Sequence, residues 1–82
     1  MIQIKNDVKE FERNLFIARS AHAIFSIKRN RIVAINVVLK IDVSDDIFSY
    51  DIKTYNFYFN KFPRILYKLL SINNTETEYV IL

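Results

Sequence analysis

From residue 33 to residue 43 every odd position is apolar: Val33, Ile35, Val37, Leu39, Ile41 and Val43. The even positions between them are Ala34, Asn36, Val38, Lys40 and Asp42. A period of two is that of a β-strand with one buried face. Upstream, Ala21, Ala23, Phe25 and Ile27 form a second odd set, opposed by His22, Ile24, Ser26 and Lys28. The two runs predict a hairpin, and parity constrains its loop. Directly opposed residues of an antiparallel pair share a face, so their numbers sum to an even value. A loop of Arg29, Asn30 and Arg31 satisfies this, pairing 28 with 32, 27 with 33 and 25 with 35. A two-residue loop would set Ile27 against Ile32 and turn Val33 outward. The three-residue loop is therefore expected, with Asn30 as its left-handed residue, since Asn tolerates that region better than Arg.

Before the hairpin the period changes. Val8, Phe11, Leu15 and Ala18 recur every three or four residues, the stripe of an amphipathic helix, placed at 7–20. Asp7 followed by Glu10 has capping-box spacing. A single long helix over 7–29 competes, because His22 and Phe25 continue the heptad, but His22 would interrupt its apolar stripe. "MIQIK" at the start alternates and predicts a short first strand.

After the hairpin, "VSDDIFSY" reads as a loop, and a strand near 51–59 places Tyr55, Phe57 and Phe59 on one face. Pro63 suits the first turn of a helix. In that helix Phe62, Ile65, Leu66, Leu69 and Leu70 make the apolar side, with Arg64 and Lys68 on an outer stripe. "YVIL" closes the chain as a last strand. The order is (β)αβββαβ: one α+β domain over residues 1–82, with a mainly antiparallel sheet of three to five strands. Two helices cover one face and leave the other open.

Composition sharpens this in three ways. The chain has 51% apolar residues, enough for a dense core in 82 residues. It has no cysteine, which excludes disulfides and thiolate metal sites. It has no glycine, so its turns rest on Asn, Asp and Ser, and no phosphate-cradling glycine loop exists. No apolar run approaches the ~20 residues that span a bilayer, and no signal pattern opens the chain. The expectation is a cytoplasmic protein without membrane contact or cofactor. The richness in Ile, Asn, Lys, Tyr and Phe points to an AT-rich genome, such as that of a virus, phage or low-GC bacterium.

Charge is blocked: Arg13, Arg19, Lys28, Arg29, Arg31 and Lys40 occur over 13–41 without an acid, followed by Asp42, Asp45, Asp46 and Asp51. Three surfaces follow. The open sheet face would carry Ile24, Val38, Ile52 and Tyr58 as an apolar centre within a polar rim, the anatomy of a protein–protein contact. Lys28, Arg29, Arg31 and Lys40 would suit phosphates, with Tyr58 stacking a base. Asp51 and Lys53, with Asp42 or in its place Asp46, are compatible with Mg²⁺-dependent nucleases of the PD-(D/E)xK kind, in which carboxylates hold the metal and lysine steadies the attacking water. Parity opposes that third arrangement, because Asp42 falls on the open side while Asp51 and Lys53 face the helices. The lone His22 cannot build a zinc site or a His-based nucleophile.

The leading expectation is a non-enzymatic accessory or inhibitor protein of a virus or mobile element that binds a host protein, or a second copy of itself, through the open face. A nucleic-acid-binding module is the alternative, and a small metal-dependent nuclease the third reading.

Overall fold

The computed structural model describes residues 8–43, 48–58, 61–72 and 75–82. Helix α1 spans Val8–Ile17 and strand β1 Ala18–Lys28; β2 is Arg31–Asp42 and β3 Tyr50–Phe57. Helix α2 is Phe62–Leu70, and β4 is Thr75–Ile81. The expected first strand, "MIQIK", and Phe59 lie outside the described residues.

The four strands form one sheet in the order β3-β2-β1-β4. The first three make an antiparallel meander, and β4 returns parallel to β1. The sheet is therefore mixed, and α2 is the crossover that a parallel return requires. The odd residues of the strands face the helices. Ala21, Ala23, Phe25, Ile35, Val37, Leu39, Ile41, Tyr55 and Phe57 are buried there with Val8, Phe11 and Leu15 of α1 and Ile65 and Leu69 of α2. Phe11 meets Tyr55 and Phe57 edge to face, with ring centroids 5.3 and 5.0 Å apart. The buried Tyr55 hydroxyl accepts a hydrogen bond from Asn14 Nδ2 at 2.6 Å, which answers the polar end of an otherwise apolar ring.

The hairpin differs from the expected one at its tip. Phe25 opposes Ile35 as parity requires, but Ile27 opposes Ile32 and Lys28 opposes Arg31. The loop is only Arg29 and Asn30, both left-handed, with φ of 55° and 62°. That is the backbone of a type I′ turn, whose twist matches the strands it joins. Parity is restored by a bulge at Val33, which leaves Ser26 opposite Ala34. A second irregularity at Arg19 lets Ala18 oppose Ile41 while Ser20 opposes Lys40. Here lies the reason that α1 stops at Ile17 and not at residue 20: Ala18 satisfies both the helical stripe and the sheet face, and the sheet takes it. Val43 falls beyond the end of β2 and is exposed.

In α2 the apolar side is narrower than expected. Ile65 and Leu69 are buried, Phe62 and Leu66 pack at the margin, and Leu70 is exposed. Without glycine, the helix end is closed by the backbone N–H groups of Ser71 and Ile72, which donate to the Lys68 and Leu69 carbonyls, and by side chains that reach the same two carbonyls. Ser71 Oγ donates to the Lys68 carbonyl at 2.6 Å, and Thr75 Oγ1 donates to that of Leu69 at 3.4 Å. Arg64 and Lys68 do not form a merely solvated stripe. Both reach Glu12 of α1 and tie the two helices side by side on the sheet.

Candidate binding surface on the open sheet face

Between the two bulges, and along β3 and β4, even-numbered residues of the strands point away from the helices, whereas Ala18 and Ile32 beyond them pack on the core. The registers place Ile24 beside Asn36, Val38 beside His22 and Thr54, and Ile52 beside Lys40. Each apolar residue is thus displaced by two positions from its neighbour, in one direction along the sheet. On the fourth strand Ile24 opposes Glu78, so the same step leads to Val80. Val80, Ile24, Val38 and Ile52 form one diagonal apolar stripe that crosses all four strands. Ile24 and Val38 are half-buried by their flanks, and Ile52 is 57% exposed.

The stripe divides two unlike sectors. Toward the start of β1 lie Glu76, Glu78, His22, Lys40, Asp42, Arg19 and Tyr50. His22 Nε2 is 3.3 Å from Glu78 Oε2, and Arg19 pairs with Asp42. The Arg19 guanidinium and the Lys40 ammonium lie 5.6 and 5.1 Å from the centre of the Tyr50 ring, arrangements worth about 0.5–1 kcal/mol at exposed sites. Toward the hairpin tip lie Ser26, Asn36, Thr54 and Asn56, polar but uncharged, with Lys28 and Arg31 beyond them at the end of the hairpin. Asn56 Oδ1 is buried there with no hydrogen-bond partner among the described residues.

Three of the four expected partner-binding residues are brought together: Ile24, Val38 and Ile52. Tyr58 follows the end of β3 and is 49% exposed. It stands six residues from Ile52, about 20 Å along an extended chain, and so lies outside the stripe. Val80 takes its place. Nothing local to "YVIL" signals this, because the direction and register of β4 are set by pairing with a strand 54 residues earlier.

Of the basic set, Lys28, Arg29 and Arg31 line one concavity of about 720 Å³ at the hairpin tip, with Ile32 and Val33. Lys40 does not join them. It lies nine residues beyond Arg31 on β2, roughly 30 Å away, and is engaged over Tyr50.

The carboxylate set is divided by the pleat. Asp51 opposes Ile41 and Lys53 opposes Leu39, so both belong to the helix-covered face, whereas Asp42 opposes Tyr50 on the open one. Asp46 lies outside the described residues. Among the described residues no three His, Cys, Asp or Glu side chains converge as a metal site, and no helix is long and apolar enough to cross a membrane.

The strongest electrostatic perturbation is structural. The Arg64 hydrogen bond holds the Glu12 carboxyl below its usual range, helped by the charges of Arg64 and Lys68 and opposed by partial burial. The same pair raises Arg64. No protein-family model, curated protein or solved structure matches the chain.

Proposed function

We propose that this chain is a protein-binding module that docks a partner protein on its open sheet face. The observation that carries the reading is the continuous diagonal stripe of Val80, Ile24, Val38 and Ile52 on the side of the sheet away from both helices. Apolar residues aligned across four strands give a contact its desolvated centre. The ionisable sector on one side, with acids on β4 and cations on β1 and β2, orients an approaching partner and rejects those of wrong charge. On the other side Ser26, Asn36, Thr54 and Asn56 supply hydrogen bonds next to the stripe, and the cations Lys28 and Arg31 lie beyond them at the rim. The test is affinity capture from source cells with the wild-type chain and with Val38→Asp/Ile52→Asp, followed by reconstitution of the captured pair from purified components. The expected partner binds the wild type, loses binding to the double variant, and keeps it with Arg29→Ala/Arg31→Ala. A partner that still binds Val38→Asp/Ile52→Asp overturns the assignment.

A second reading rests on the shared concavity of Lys28, Arg29 and Arg31. Phosphate contacts there give an affinity for nucleic acid that falls steeply with salt. Binding that Arg29→Ala/Arg31→Ala abolishes, and that the stripe variants spare, would favour it over the first.

A further inference from the structure

Strand β4 is the sheet's edge, and its outer side is paired with no described residue. Leu82 N–H donates to the Ile27 carbonyl at 2.8 Å. Alternate residues of a strand aim their backbone groups to opposite sides, so Glu78 and Val80 also serve β1, while Thr77, Tyr79 and Ile81 aim theirs outward. Exposed edges are ordinarily blunted by charged side chains, lysine above all, by proline or by a bulge. This one has no lysine, proline or bulge, and its charges are Glu76 and Glu78 on the open face. Tyr79 is 64% exposed and Ile81 74%, and across an apolar groove of about 330 Å³ stands Leu70 of α2, 84% exposed.

We infer that β4 pairs edge to edge and antiparallel with β4 of a second copy, giving a continuous eight-stranded sheet. The sequence of β4 is complementary to itself in one register. Centred on Glu78, the pairing would set the two Glu78 carboxylates against each other. Centred on Val80, it leaves two hydrogen-bonded residue pairs. Centred on Tyr79, it gives three: Tyr79 with its counterpart, and Thr77 with Ile81 twice. Each Glu78 then lies opposite Val80, and no glutamate opposes another. A two-fold axis perpendicular to the sheet keeps both helix layers on one side. The Phe25–Tyr79 stack, 5.4 Å between centroids, then continues through the second Tyr79 to the second Phe25. Leu70 of each copy closes over the junction. A second copy fits better than an unrelated strand because charge and hydrogen-bond phase are both matched by β4 itself.

The inference is independent of the open-face assignment and is tested by mass. Sedimentation equilibrium of the full chain, from micromolar to near-millimolar concentration, is expected to give twice the 9.8 kDa chain mass. Ile81→Lys raises the dimer dissociation constant roughly tenfold or more, since it replaces apolar contact at the junction with charge. Adding Thr77→Glu restores the dimer, because 77 faces 81 only in this register. N-methylation of the Ile81 amide in a synthetic full chain removes one outward donor without touching the β1 ladder, and weakens the dimer in the same direction. A wild-type chain that stays monomeric overturns the proposal. So does a dimer indifferent to Ile81→Lys and to N-methylation, or one that Thr77→Glu fails to rescue.

Discussion

Replacing Arg29 by glycine removes a side chain from a tight two-residue turn that this chain builds without glycine. Arg29 has φ of 55°, and its side chain lacks the short polar group with which Asn bonds local backbone in the left-handed region. That conformation costs a non-glycine residue about 1–2 kcal/mol. Glycine relieves it, at the expense of roughly 0.5–1 kcal/mol of extra unfolded-chain entropy. The net expectation is a gain of roughly 0–1.5 kcal/mol, each 1 kcal/mol of which raises the thermal midpoint by ~4–8 °C for a domain of this size. Arg31 opens β2, two residues later, in extended backbone. There glycine lowers stability by roughly 0.5–1 kcal/mol. The two substitutions remove the same charge from the same tip, so the opposite signs isolate the backbone term. The assay is urea or thermal unfolding by far-UV circular dichroism, at one salt and one protein concentration. A three-residue loop with only Asn30 left-handed predicts that Arg29→Gly destabilises as well. A lowered midpoint for Arg29→Gly would refute the type I′ turn and the bulge at Val33 with it.

Phe11→Ala empties the aromatic cluster with Tyr55 and Phe57 and is expected to cost about 3–5 kcal/mol, a large share of the roughly 4–12 kcal/mol available to 82 residues. Phe16→Ala, at a position almost fully exposed, leaves the midpoint within about 0.5 kcal/mol, and urea titration of the two compares them directly. For Glu12, a folded pKa below the unfolded one contributes stability that is present above the ordinary glutamate range and is lost as pH falls through the depressed value. Glu12→Gln therefore lowers the midpoint at neutral pH and shows a smaller loss on acidification, measured as unfolding midpoints across the acid range.

The alternation of Val33 to Val43 and of Ala21 to Ile27 carried the hairpin, its buried face and the central register, because burial of one face leaves a mark at every second residue. It did not carry the tip. A bulge adds one residue without altering the types of its neighbours, and Val33 is apolar whether it faces the core or is set aside. Ala18 was equally mute, being small enough for a helix stripe or a sheet. The open-face residues Ile24, Val38 and Ile52 were legible from parity alone. Their alignment was not, since a diagonal exists only once three strands are in register. Val80 and the separation of Lys40 from the basic tip depended on long-range pairing and on chain distance, neither of which leaves a local trace.

The parallel return of β4 has a kinetic side. The β1–β2 ladder closes across two residues, whereas Ala21 meets Thr75 only after a loop of 54, a closure that costs roughly 3.5 kcal/mol in chain entropy. β4 is therefore expected to join last and to leave first. Along β1, the amides of Ala23, Phe25 and Ile27 aim at β4, while those of His22, Ile24 and Ser26 aim at β2. Departure of β4 frees the first set and leaves the second protected, so one strand reports two opening reactions in alternate residues: a sub-global release and the unfolding of the whole domain.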